Sequence, residues 1–175
     1  ALIVQEIKHQ LTQYPKGLVG VYAPFDGEVD LSLLWNNGER TDHLPFCATS
    51  IGDHKARLVF PTHKVGSPLS FIKPTAWDRS RRLSLPIGPK VELEQIRLLF
   101  IPGLAFCPQT GLRLGLGGGH YDRTLAHNAQ SSWTLKTFGV GFNFQLRSDL
   151  PREPWDIPLD ALITESGLHT PRLDT

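Results

Sequence analysis

Apolar and polar positions along the chain fall into short unbroken apolar runs separated by polar or proline- and glycine-containing stretches. The run IRLLFIPG, from Ile96, is the most apolar, and its lack of alternation marks a strand buried on both faces. Shorter runs of the same kind occur at 17–22 (GLVGVY), 57–60 (RLVF, closed by Pro61), 138–142 (FGVGF) and 161–164 (ALIT). Residues 69–72 alternate weakly and end at Pro74. Between these strands lie helical signals. Ile3, Ile7, Leu11 and Tyr14 recur at helical spacing before the break at Pro15 and Gly17. Pro24 and Gly27 bracket a turn, and Glu28 to Leu31 leads into an expected helix reaching Trp35, stopped by Asn36-Asn37-Gly38. Residues 121–128 read as the first turns of another helix, with Leu125 on its buried side. Residues 75–90 read as a basic, proline-containing loop, and 39–55 are too mixed to assign. Strands separated by helices predict an α/β fold: a single domain over 1–175, with a mostly parallel central sheet flanked by helices.

Composition narrows the function. The chain has 175 residues, 40% apolar and 20% charged, which suits one soluble globular domain. Its formal net charge of +1 predicts no strong attraction to nucleic acid or to an anionic membrane, so any anion site must be local. No apolar run approaches the length of a membrane span. Cys47 and Cys107 are far apart and form no CxxC unit, which argues against a disulfide scaffold or cysteine zinc site and suits a reducing, cytoplasmic setting. Cys107 reads as a small buried apolar residue rather than a reactive thiol. The first helix has no Ser, Thr, Asp or Asn before it and is expected to be the remainder of a longer one.

The candidate chemistry lies in RLGLGGGHYDR, residues 113–123. It follows the most apolar strand and leads into a helix, where open α/β sheets bind ligands. Gly115, Gly117, Gly118 and Gly119 let backbone N–H groups face a ligand without Cβ atoms in the way. The helix that follows adds its positive end. Arg113 and Arg123 flank the run and can neutralise phosphate oxygens, and Asp122 can offer a carboxylate to magnesium. The pattern is neither a Walker loop nor GxGxxG. On spacing alone, a plain surface turn and an anion-binding loop stand equal.

The longer run IPGLAFCPQTGLRLGLGGGHYDRTLA, residues 101–126, resembles the signature of the 5-formyltetrahydrofolate cyclo-ligase family, PGxAFDxxGxRLGxGxGYYDRxL. VYAPFDGEVDL at 21–31, GVGFNFQL and PLDALITESG resemble further segments of that family, so the likeness extends over most of the chain. It implies an enzyme that uses ATP and magnesium to convert 5-formyltetrahydrofolate to 5,10-methenyltetrahydrofolate, releasing ADP and phosphate. In that reaction the formyl oxygen is phosphorylated, N10 attacks, and phosphate leaves. The alternative is a non-catalytic descendant that binds nucleotide or folate as a regulatory module.

The resemblance also implies roles for residues. Arg113, Gly115, Leu116, Gly117, Gly118, Gly119, His120, Tyr121 and Arg123 would meet the nucleotide, with Arg113, Tyr121 and Asp122 as the catalytic set and Asp122 on the metal. Glu28 would hydrogen-bond the pterin, and Trp77, His120 and Tyr121 would border the folate; Trp77 reads equally as a core or rim residue. Arg79, Arg81 and Arg82 read as a solvated face or as a contact for a polyglutamate tail. The chain departs from the family at His120, where the family has tyrosine, and at Cys107, where it has aspartate. The family's basic N-terminal helix would lie in the missing part of the first helix. The expected partners are small molecules, and the expected state is a monomer.

Overall fold

A computed structural model describes residues 1–14, 17–24, 27–34, 48–51, 54–62, 67–78, 85–129 and 134–172. Trp35, Asn36, Asn37, Gly38, Cys47, Arg79, Arg81 and Arg82, singled out above, lie outside the described residues. In chain order the elements are α1 (Leu2–Gln13), β1 (Leu18–Gly20), β2 (Ala48–Ile51), β3 (His54–Thr62), β4 (Ser70–Ile72), β5 (Ala76–Asp78) and β6 (Leu85–Ile87). Then follow β7 (Lys90–Val91), β8 (Ile96–Pro102), β9 (Ala105–Phe106), β10 (Arg113–Leu114), α2 (His120–Ala129), β11 (Lys136–Val140), β12 (Ala161–Thr164) and β13 (Gly167–His169).

The main sheet runs β13-β12-β11-β8-β1-β3-β4-β7, with β2 also paired to β3. Its centre, β12 to β3, is parallel throughout, and antiparallel strands are added outside it. The α/β single-domain architecture with a mostly parallel sheet is therefore as the apolar runs predict, although the described helical cover is thin. In β8 the side chains divide between two cores. Leu98 and Phe100 join α1's Ile3, Ile7 and Leu11 on one side, while Leu99 and Ile101 join Leu125 of α2 on the other. Burial on both faces is why this run shows no alternation. Phe100 stacks on Phe138 with ring centroids 5.5 Å apart.

Several expectations need correction. Residues 28–34 do not form the expected α-helix; they hold a single 3₁₀ turn at Ser32–Leu34, and Trp35 lies outside the described residues. Asp30 Oδ1 accepts the Ser32 N–H (2.8 Å), and this local bond competes with a longer helix, while Leu31 and Leu34 still find burial at helix-like spacing. Tyr14 is not on the buried stripe of α1 but is its half-exposed C-cap. The 75–90 stretch is not all loop: β5 and β6 pair as a separate two-stranded sheet, and β7 joins the main sheet. Pro61 does not end its strand, which continues to Thr62 paired with Ser70. The strand over 138–142 stops at Val140.

Candidate functional site

The parallel strands β1, β8 and β11 end at Gly20, Pro102 and Val140, the side of such a sheet where ligands bind. After β8 the chain turns at Gly103 into the β9–β10 hairpin, whose mouth is closed by the Leu104 N–H donating to Leu114 O (2.7 Å). Gln145 joins the ends of β8 and β11. Its Nε2 donates to Gly103 O (2.7 Å) and Leu104 O (3.3 Å), and its Oε1 accepts the Phe142 N–H (2.7 Å). The glycine loop is thus mounted on a pinned support.

Within the loop, Gly117 (φ +83°) and Gly119 (φ +60°) adopt the left-handed conformation that other residues reach only with strain. Gly115 and Gly119 make room for the arginines. A Cβ at Gly115 would lie 2.6 Å from Arg113 Nη1, and one at Gly119 would lie 2.7 Å from Arg123 Nη1. Both guanidinium groups therefore lie against glycine Cα atoms. Arg113, with a side chain 6% exposed, donates from Nη2 to Asp122 Oδ2 (2.9 Å) and sits 5.2 Å from the Tyr121 ring centroid. That contact adds cation–π attraction to the ion pair. Arg123 Nη2 donates to Gly118 O (2.6 Å), and its Nε is buried with no hydrogen-bond partner among the described residues. Leu116, at the crest, is 74% exposed.

His120 opens α2. Its Nδ1 lies 3.3 Å from Ser67 O and 3.3 Å from Arg123 Nη2. A neutral ring satisfies one or the other: a protonated Nδ1 donates to Ser67, whereas a bare Nδ1 accepts from Arg123.

Two buried phenols complete the arrangement. Tyr22 donates to Val29 O (3.1 Å), closing the segment that carries Glu28. Burial pushes its pKa well above the ordinary value, and the nearby Glu28, Tyr121 and Asp30 add to the rise. Burial also raises Tyr121, against the lowering influence of Arg113 and with a further rise from Glu28. Both phenols remain neutral hydrogen-bond donors at physiological pH. Glu28 is close enough to both buried tyrosines to act on them electrostatically.

Thus the structure gathers Glu28, Arg113, Gly115, Leu116, Gly117, Gly118, Gly119, His120, Tyr121, Asp122 and Arg123 at one end of the sheet. Trp77 has its backbone in β5, and its side chain lies outside the described residues. Tyr22, Gln145 and Thr124 shape the site and were missed by sequence reasoning. Tyr22 and Gln145 occur inside the family-like segments, but their hydrogen bonds leave no mark on spacing. Cys107 is buried, as expected, with Sγ 3.6 Å from Ser148 O. Among the described residues, no group of three or more His, Cys, Asp and Glu side chains could hold a metal ion. None of their helices is long and apolar enough to cross a membrane.

Comparisons with known proteins point to one family. Residues 53–165 match the model of the 5-formyltetrahydrofolate cyclo-ligase family. The 5-formyltetrahydrofolate cyclo-ligase of Escherichia coli (strain K12) is 36% identical over 162 residues, covering 85% of this chain and 78% of that protein. That of Haemophilus influenzae is 29% identical over 169 residues, covering 92% and 83%. The NMR structure of Aquifex aeolicus 5,10-methenyltetrahydrofolate synthetase matches with a TM-score of 0.69 and 27% identity, over 99% of this chain and 83% of that one. A 5,10-methenyltetrahydrofolate synthetase from Mycoplasma pneumoniae shares the fold (TM-score 0.64, 23% identity, 93% and 82% covered). A glycine loop carried on the pinned end of a parallel sheet and a match over most of the chain lead to one conclusion: this chain belongs to the 5-formyltetrahydrofolate cyclo-ligase family.

Proposed function

We propose that this protein is an enzyme converting 5-formyltetrahydrofolate to 5,10-methenyltetrahydrofolate at the expense of ATP, with ADP and phosphate as the other products. The observation that carries the reading is the loop 113–123: glycines at the end of the parallel sheet, a helix N-terminus behind them, and two guanidinium groups across their Cα atoms. Such an array offers backbone N–H groups and positive charge to a polyphosphate. A formyl oxygen is a poor leaving group, so its phosphorylation by ATP is the step that makes ring closure by N10 possible. That chemistry asks for positioning and charge stabilisation rather than a protein nucleophile.

In this reading Gly115, Leu116, Gly117, Gly118, Gly119 and His120 line the phosphates. Arg113 and Arg123 neutralise them, and Tyr121 and Glu28 face the folate with Trp77 at its rim. Tyr121, neutral by burial, is suited to donate to a substrate oxygen. Arg113 is held by Asp122 and Tyr121, so its charge is aimed before the substrate arrives. Asp122 would offer its carboxylate to magnesium brought with the nucleotide, and the metal would add to the neutralisation of the phosphates. The protein acts as a monomer on small molecules in the cytoplasm, with neither nucleic acid nor membrane as partner.

The test is the absorbance of the methenyl product when protein, 5-formyltetrahydrofolate, ATP and magnesium are combined. The expected result is product that requires ATP. ATP binding without product would instead favour the non-catalytic nucleotide-binding module.

A further inference from the structure

Thr124 lies one turn into α2 and is fully buried, and it is not among the residues that would meet nucleotide or folate. Its hydroxyl donates to His120 O (2.7 Å) and accepts the backbone N–H of Leu69 (2.8 Å), a residue 55 positions earlier in the chain. Two residues before Leu69, Ser67 O faces His120 Nδ1 at 3.3 Å. The segment 67–69 ahead of β4 is therefore tied to α2 through Thr124, and His120 adds a second contact when its Nδ1 carries the proton.

A hydroxyl is suited to this place. It can satisfy a carbonyl one helical turn back and accept a buried N–H at the same moment. Leu69 is itself buried, so its N–H would otherwise lack a partner. A helix of ten residues is marginal alone, and its orientation is set by such tertiary ties. A small rotation of its first turn would carry Asp122 and Arg123 with it, and through them the guanidinium groups that lie across the loop.

We propose that Thr124 is a positioning residue: by tying the first turn of α2 to the segment 67–69, its hydroxyl sets the glycine loop in the geometry that receives phosphate. This rests on the reading of the loop as the ATP phosphate site.

Thr124→Val keeps the shape and removes the hydroxyl, and Thr124→Ser keeps the hydroxyl. The valine variant is expected to raise KM for ATP roughly tenfold while leaving KM for 5-formyltetrahydrofolate within about twofold, with the serine variant close to the parent. A lower melting temperature with unchanged KM for ATP in the valine variant would reduce Thr124 to a structural role and overturn the proposal. Hydrogen exchange at the Leu69 N–H in the unaltered protein gives a second readout that does not depend on the variant folding. Saturating ATP should slow it at least about threefold, and an unchanged rate overturns the proposal. Calorimetry separates the two failures. If the parent protein binds no ATP, the phosphate reading itself falls; if parent and valine variant bind ATP equally, only the role of Thr124 falls.

Discussion

Glycine is used at two neighbouring regions of the molecule for opposite reasons. In β11, a Cβ at Gly139 would lie 2.7 Å from Leu162 Cδ2, 2.8 Å from Phe106 Cε1 and 2.9 Å from Leu159 Cδ1. There the missing side chain is replaced by packed neighbours, and Phe106 fills the space. In the loop, a Cβ at Gly117 would meet nothing within 4 Å, yet its backbone stands at φ +83°. One region leaves out a side chain so that the core can close. The other, at Gly117, does so and leaves its backbone open, at an entropic cost with no packing return at that position. A surface built that way makes physical sense when something outside the chain completes it.

The comparison predicts opposite phenotypes for similar substitutions. The largest effect belongs to Gly139→Val, which forces a branched side chain into three close contacts. It should lower unfolding free energy by about 2–3 kcal/mol in urea titration, while the folded fraction keeps its affinity for ATP. Gly118→Val should do the reverse. Its Cβ would press on the His120 ring, a movable side chain (2.9 Å to Cδ2), so stability changes little. ATP affinity by calorimetry should fall roughly tenfold, because a side chain then stands where phosphate approaches the backbone. If both variants lost stability alike, the distinction between the two regions would fail.

Tyr22 sits between these cases, a buried side chain whose hydroxyl ties down the Glu28 segment. Tyr22→Phe should cost about 1 kcal/mol at neutral pH for one lost hydrogen bond. Because folding raises its pKa above the ordinary 10.0, both states hold the proton below pH 10 and the contribution is flat there. Above pH 10 the unfolded chain releases its proton first, so stability falls as pH rises. The parent protein should lose stability in that range more steeply than Tyr22→Phe. The smallest effect is expected from Asp122→Asn. It should raise the magnesium concentration needed for half-maximal activity about threefold, with folate affinity less affected.

How much of this could be read from the chain depended on the range of the interactions. β8 was legible because burial on both faces writes an unbroken apolar run, and the loop was legible because four glycines and two arginines are local. The two-residue strands β7, β9 and β10 are too short for any periodicity to mark. The turn at Ser32–Leu34 misled because Leu31 and Leu34 have helical spacing whether or not a helix forms around them. The ties that fix the site, Thr124 to Leu69 and Gln145 to Gly103, join residues 55 and 42 positions apart and carry no signal in spacing. Resemblance supplied Glu28; only the fold brings it within electrostatic reach of Tyr22 and Tyr121.

The most direct test of the phosphate site is a titration of isotopically labelled protein with magnesium and ATP, followed by backbone amide chemical shifts. The account predicts the largest shifts at residues 115–123, with the Gly139 amide in the packed strand almost unmoved. Saturable ATP binding whose largest shifts fall elsewhere, with the glycine loop unmoved, would contradict it.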